Sequence, residues 1–208
     1  MLRIRQSVSL RVGQQQVPAE IISFDGFASG KEHVAMHFKR PGRDTSTTLV
    51  RVHSECLTGD VFHSSRCDCG EQLNEAISLL DKSGGVLLYM RQEGRGIGLY
   101  NKLDAYVLQD QGLDTYAANV ELGFGQDERN FSEAAEMLKA LVLDRITLLT
   151  NNPEKVKQLE QQGITVTAVT NTSVHHKPGN ISYLEAKKSI GQHQLMINPL
   201  NYKSCQIC

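Results

Sequence analysis

Apolar and polar residues alternate over strand-length runs in the first third of the chain, and the period then lengthens. Residues 2–10, 17–24, 33–38 and 48–53 alternate or run apolar. Turn formers such as Asp25-Gly26, Ser29-Gly30 and Pro41-Gly42 separate them. Beyond residue 70 the spacing is helical: Leu73, Ala76, Ile77 and Leu80 share one face. Gly84-Gly85 breaks that helix, Val86–Met90 reads as a buried strand, and Ile97–Gln109 is a helix stopped by Gly112. Phe131, Ala134, Ala135, Leu138 and Leu141 mark another amphipathic helix. Ile146–Leu149 and Ile164–Val169 are two more strands. Between them Asn152-Pro153 supplies an N-cap and a first-turn proline for a helix that Gly163 ends. The pattern predicts an α+β, or mixed α/β, fold: a β-rich N-terminal part followed by helices and strands alternating around a mixed sheet. One domain is expected over residues 1–197. Residues 198–208 have no periodicity and are expected to form a disordered tail.

Composition narrows the function classes. At 208 residues the chain can bury a core without disulfide staples. A net charge of −1 leaves no polybasic signal, so neither nucleic acid nor a membrane surface is an expected partner. The opening MLRIRQSVSLRV reads as a strand and not a signal peptide, and no apolar run approaches a membrane span. The cytoplasm is the expected compartment. There, clustered cysteines are more often metal-binding or catalytic than disulfide-bonded.

Such a cluster lies in RVHSECLTGDVFHSSRCDCG, residues 51–70. Cys56, Cys67 and Cys69 follow a C-x10-C-x-C spacing beside Arg51, His53, Glu55 and Arg66. Three thiolates without an obvious fourth protein ligand suit a zinc site with one position left for water or substrate, which points to catalysis over scaffolding. Buried structural cysteines, or a closed site with a distant fourth ligand, are the plainer alternatives. His53-Ser54-Glu55 also spells the H-x-E element of zinc nucleobase deaminases, but their P-C-x-x-C is missing and C-D-C stands instead. Cys205 and Cys208, a C-x-x-C in the tail, read as incidental thiols.

Three further segments could meet an anion. Arg91-Gln92-Glu93-Gly94-Arg95-Gly96-Ile97-Gly98 joins a strand to a helix, where glycines allow close backbone approach and free N–H groups face outward. A turn with solvated arginines is an equal reading. Thr150-Asn151-Asn152-Pro153-Glu154-Lys155 repeats the logic, although alone it would be an ordinary capped helix with an exposed lysine. Asp127 and Arg129 could form an acid–base pair, or a solvated charge run at a helix start.

Together these segments resemble a known family. RVHSECLTGD, SxRCDCGxQL, YMRQEGRGIGL, NKxxAYxLQDxGxDT, LGFxxDER and LLTNNPxKV follow the order found in GTP cyclohydrolase II of riboflavin biosynthesis, from about residue 17 to about 193. That family opens the guanine imidazole ring of GTP and releases formate and pyrophosphate. The resemblance implies zinc, magnesium, GTP as substrate and a homodimer. It implies Cys56, Cys67 and Cys69 as zinc ligands. It implies Arg51, Val52, His53, Ser54, Glu55, Gln72, Glu93, Gly94, Arg95, Thr115, Thr150 and Lys155 as nucleotide contacts. Asp127 falls on the position of a proton acceptor, Arg129 on that of a nucleophile, and Tyr106 on a tyrosine linked to ring opening. A guanidinium is a poor nucleophile unless a base takes its proton, so Arg129 could instead stabilise charge on the α-phosphate. Glu93 is expected to hold the guanine edge. His63, Ser65, Asp104, Ala168 and Thr170 depart from the family pattern. They leave room for a paralogue that binds a guanine nucleotide without full turnover or stops at a formylated intermediate.

Overall fold

The computed structural model describes residues 2–40, 47–191 and 193; the Pro41-Gly42 turn and the Cys205/Cys208 tail lie outside the described residues. Strands β1 (Arg3–Val12), β2 (Val17–Asp25), β3 (Val34–Phe38) and β4 (Thr48–Ser54) come first. They lead through a short helix α1 (Leu57–Asp60) to α2 (Cys69–Ser83) and β5 (Gly85–Met90). A 3-10 turn (Glu93–Gly96) precedes α3 (Leu99–Asp110), α4 (Thr115–Glu121) and α5 (Ser132–Ala140). The last described elements are β6 (Arg145–Leu149), α6 (Pro153–Gln161), β7 (Thr165–Thr170) and α7 (Ile181–Ser189). Among the described residues no helix is long and apolar enough to cross a membrane.

The seven strands form one mixed sheet in the order β1-β2-β3-β5-β4-β6-β7. β1, β2, β3 and β5 pair antiparallel, whereas β5, β4, β6 and β7 run parallel. Side-chain alternation splits the core between the two faces. Val86, Leu88 and Met90 of β5 pack with Phe131, Ala134 and Leu138 of the α5 layer, while Leu87 meets Ala76, Ile77 and Leu80 of α2. A strand covered on both sides needs an unbroken apolar run, which is what Val86–Met90 provides.

The predicted strands and helices appear within a few residues of their sequence bounds, and among the described residues three α-helices appear that periodicity did not suggest, α1, α4 and α7. α4 is short, and it is opened by Asp114, whose carboxylate accepts from the N–H groups of Tyr116 and Ala117. α7 buries only Leu184, Ala186 and Lys187, so it carries no clear apolar stripe.

Candidate active site

In open sheets with parallel strands, ligands bind beyond the carboxyl ends of those strands. The carboxyl ends of β4, β5 and β6 lead here directly into Glu55-Cys56, Arg91–Gly96 and Thr150–Asn152. These segments border a cleft of about 1040 Å³, including its mouth.

The floor is the thiol cluster. The three sulfurs lie within 4.8 Å of one another, and Cys56 Sγ is 3.6 Å from Cys67 Sγ. Two glycines make that approach possible. A Cβ at Gly59 would sit 2.7 Å from Cys67 Sγ and 3.1 Å from Cys56 Sγ, and one at Gly70 would collide with the Gly59 carbonyl. Asp60 closes the loop: it accepts from Cys56 N at 3.0 Å, from Tyr89 Oη at 2.8 Å, and lies 3.1 Å from His53 Nε2.

The donor set fits a zinc ion. Hydrogen bonds from Cys67 and Cys69 pull the Cys56 thiol far down, and the bond to Cys56 pushes Cys67 up to about 11 and Cys69 well above its ordinary value. Three negative sulfurs at this range repel one another, so a divalent cation is what allows all three to ionise. Three protein sulfurs are also the number that leaves a tetrahedral ion one open position.

Cations form the walls. Arg51, Arg66, Arg95, Lys102, Arg129, Lys155 and Lys187 all border the cleft, against Glu55 and Glu93, although the whole chain carries −1. Lys155 is not the exposed lysine that its helix start alone would suggest. It is 5% exposed and donates to the Val52 carbonyl at 2.7 Å. Burial, followed by Arg51, Arg129 and Lys187, pushes its pKa well down. A bound polyanion would reverse that pressure.

The other implied contacts divide into those that face the cleft and those that hold them. Arg51 donates to Leu149 O at 3.1 Å and to Gln72 Oε1 at 3.0 Å, and Gln72 Nε2 donates to Asp68 at 2.6 Å. Gln72 thus orients Arg51. Thr115 does the same for Arg95: its hydroxyl accepts from Nη1 at 2.7 Å, and the guanidinium stacks over Tyr116 at 4.2 Å. Gly94 and Arg95 both adopt left-handed backbone, φ 62° and 58°, which turns the arginine inward at a conformational cost for a non-glycine residue. The Val52 side chain is in the core, so only its backbone serves the site. The Thr150 hydroxyl accepts from Asn152 N, and Glu55 pairs with Arg91 at 2.9 Å.

Both Glu93 oxygens are occupied: Oε1 accepts from Lys102 and Gly94 N, and Oε2 from Leu57 N at 2.6 Å. Its carboxylate therefore joins the glycine turn to the thiol loop. Asp127 and Arg129 form a forked pair at 2.8 and 2.5 Å. Burial pushes the Asp127 carboxyl up, but the bonds from Arg129 more than offset it and leave its pKa below the ordinary value. Burial acts against the Arg129 charge, and Asp127 outweighs that and raises its pKa. The spacing suggested a solvated charge run, but this guanidinium side chain is 12% exposed. Tyr106 lies on α3 with its hydroxyl 3.2 Å from Thr58 Oγ1, beside the thiol loop.

Unpartnered buried atoms also point to a polar ligand. Arg51 Nε, His53 Nδ1, Ser54 Oγ, Gln92 Oε1 and Asn119 Nδ2 lack a partner among the described residues, and all five residues line this cleft. Burial lowers the His53 pKa, so the ring is neutral, with Nε2–H donating to Asp60 and Nδ1 left as a bare acceptor. Sequence reasoning missed Asn119, Lys102, Tyr183, Lys187 and His193. Lys102 falls inside NKxxAYxLQDxGxDT with no role attached to it, Asn119 lies in α4 outside the quoted motifs, and the others lie in or after α7, where Lys187 reaches Asp68 at 3.1 Å. His175 Nε2 lies 3.0 Å from Glu75 Oε2 on α2.

Comparison with known proteins agrees with this geometry. The family model for GTP cyclohydrolase II matches residues 5–171. The GTP cyclohydrolase-2 of Vibrio cholerae is 57% identical over 198 residues, 95% of this chain and all of that protein. The Proteus mirabilis GTP cyclohydrolase-2 is 46% identical over 191 residues, 89% of this chain and 96% of that one. A solved two-domain 3,4-dihydroxy-2-butanone 4-phosphate synthase from A. baumannii covers 83% of this chain and 40% of its own, at 16% identity and a TM-score of 0.43. On the family match and on close identity over nearly its whole length, this chain belongs to the GTP cyclohydrolase II family.

Proposed function

We propose that this chain hydrolyses GTP at the guanine imidazole ring, the first step of riboflavin biosynthesis. Formate and pyrophosphate are released, and a diaminopyrimidinone ribosylamino phosphate remains. The observation that carries this reading is one cleft that joins a three-thiol cluster to a wall of buried cations. A substrate with a heterocycle at one end and phosphates at the other satisfies both.

Cys56, Cys67 and Cys69 would hold zinc, which supplies Lewis-acid activation of water at neutral pH. Asp127, ionised at neutral pH, accepts a proton. Arg129 acts as a stabiliser of charge on the α-phosphate, because the raised pKa that Asp127 gives it disfavours the neutral, nucleophilic form. Tyr106 serves the opening ring from beside the thiols. Arg51, Arg95 and Lys155 neutralise phosphate oxygens, and magnesium, arriving with the triphosphate, would add to that neutralisation. His53 Nδ1 and Ser54 Oγ offer their free hydrogen-bonding capacity to base or ribose. Gln72 and Thr115 act through the arginines they orient. The enzyme works as a homodimer; β1, at the sheet edge, leaves Ile4, Val8 and Leu10 exposed for a second subunit to cover.

The test is formate and pyrophosphate measured together on zinc-loaded chain and GTP, with and without magnesium. Equal release that depends on magnesium is expected, and Cys67→Ser should lose both zinc and formate. A zinc-free variant that still releases formate would overturn the reading.

A further inference from the structure

Lys102 on α3 is 9% exposed, and its ammonium meets three acceptors: Cys56 Sγ at 3.2 Å, Thr58 Oγ1 at 3.0 Å and Glu93 Oε1 at 2.7 Å. An ammonium has three donors, so its capacity is filled. Each acceptor belongs to a different part of the site. Cys56 belongs to the thiol cluster that could hold a metal ion, Glu93 fixes the glycine turn, and the Thr58 hydroxyl contacts Tyr106 Oη at 3.2 Å. Gly94 makes room for this arrangement, since a Cβ there would lie 3.0 Å from Lys102 Cβ.

Charge explains why a lysine belongs here. Three thiolates on a dication leave one negative charge, and the Glu93 carboxylate adds another in the same buried space. One ammonium offsets part of that excess. An N–H donated to a metal-bound sulfur also draws electron density from it, so the sulfur gives less to the metal and the metal stays more electrophilic. Groups that bond to metal ligands tune a site in this way.

We propose that Lys102 is a positioning residue for the metal centre: it weakens electron donation from Cys56 and ties that sulfur to the Glu93 turn and to the hydroxyl that holds Tyr106. The role rests on the zinc reading above. A purely structural lysine would prop Glu93 and leave the electronic state of the metal unchanged.

Cobalt in place of zinc separates the two. Full chain and Lys102→Met are loaded with Co2+, and the sulfur-to-cobalt charge-transfer band is recorded with kcat and KM for formate release. The variant is expected to hold one cobalt, to shift the band to longer wavelength, and to lose about 10- to 100-fold in kcat, more than any rise in KM. An unshifted band in cobalt-loaded Lys102→Met overturns the role of Lys102 and leaves the zinc reading intact. An unmodified chain that binds no cobalt overturns both. Should Lys102→Met fail to fold, Lys102→Gln, which keeps a polar group but no charge, is read by the same band.

Discussion

Asp127 and Arg129 are two residues apart and act as one device. The fork between them keeps the carboxylate ionised and the guanidinium protonated, so each fixes the charge state of the other. The two roles proposed for Arg129 differ in what substitution does. A charge stabiliser replaced by lysine keeps its charge but loses the fork, whereas a nucleophile has no substitute. Arg129→Lys is expected to keep measurable formate release, and Arg129→Met to lose about 10²- to 10³-fold in kcat. Lysine and methionine variants equally dead in steady-state assays would favour the nucleophile. The motif made these residues visible in the sequence, but its spacing alone favoured a solvated charge run. Only burial separates a working ion pair from surface charge.

At the scale of elements, the glycine turn after β5 is held from behind. His33, 1% exposed, accepts from Arg91 N at Nδ1 (2.9 Å) and pairs through Nε2 with Glu133 of α5 at 2.8 Å. Burial lowers the His33 pKa below its ordinary 6.5, against the pull of Glu133. The unfolded chain therefore takes up this proton first. Stability from the neutral ring is fully present above 6.5 and is lost as pH falls from there toward the lower folded value. Chemical unfolding of zinc-loaded chain at about pH 7.5 and about pH 5.5 should show a smaller loss for His33→Gln than for the unmodified chain. Equal losses would remove His33 from the account.

The whole molecule presents a sheet whose parallel half carries the chemistry and whose antiparallel half ends in an open edge. Among the described residues β1 pairs only with β2, and its residues are exposed along nearly all their length. Unpaired strand edges invite a partner. Sedimentation should give twice the chain mass, and Val8→Lys with Leu10→Lys should shift it toward the monomer. An unaltered dimer in that double variant would place the interface elsewhere.

The strands, the principal helices and the zinc-binding cysteines follow from the sequence because local periods and short ligand spacings are written in consecutive residues. Asn152-Pro153, for example, caps its helix as its chemistry requires, with Asn152 Oδ1 accepting from Glu154 N. The roles within the site are another matter. Glu93 looked free to grip a base, yet Leu57, Gly94 and Lys102 occupy its oxygens. Lys155 looked solvated, yet it is buried among three other cations. Asn119 and Lys187 carried no local signal, and Lys102 stood in a motif that gave it no role. Each of these outcomes depends on what a side chain meets from elements tens of residues away, and burial, charge state and partner are properties of that meeting. The sequence by itself determined the strands, the principal helices and which atoms could bind a metal; the tertiary structure decided the remaining helices and which groups remain free to act.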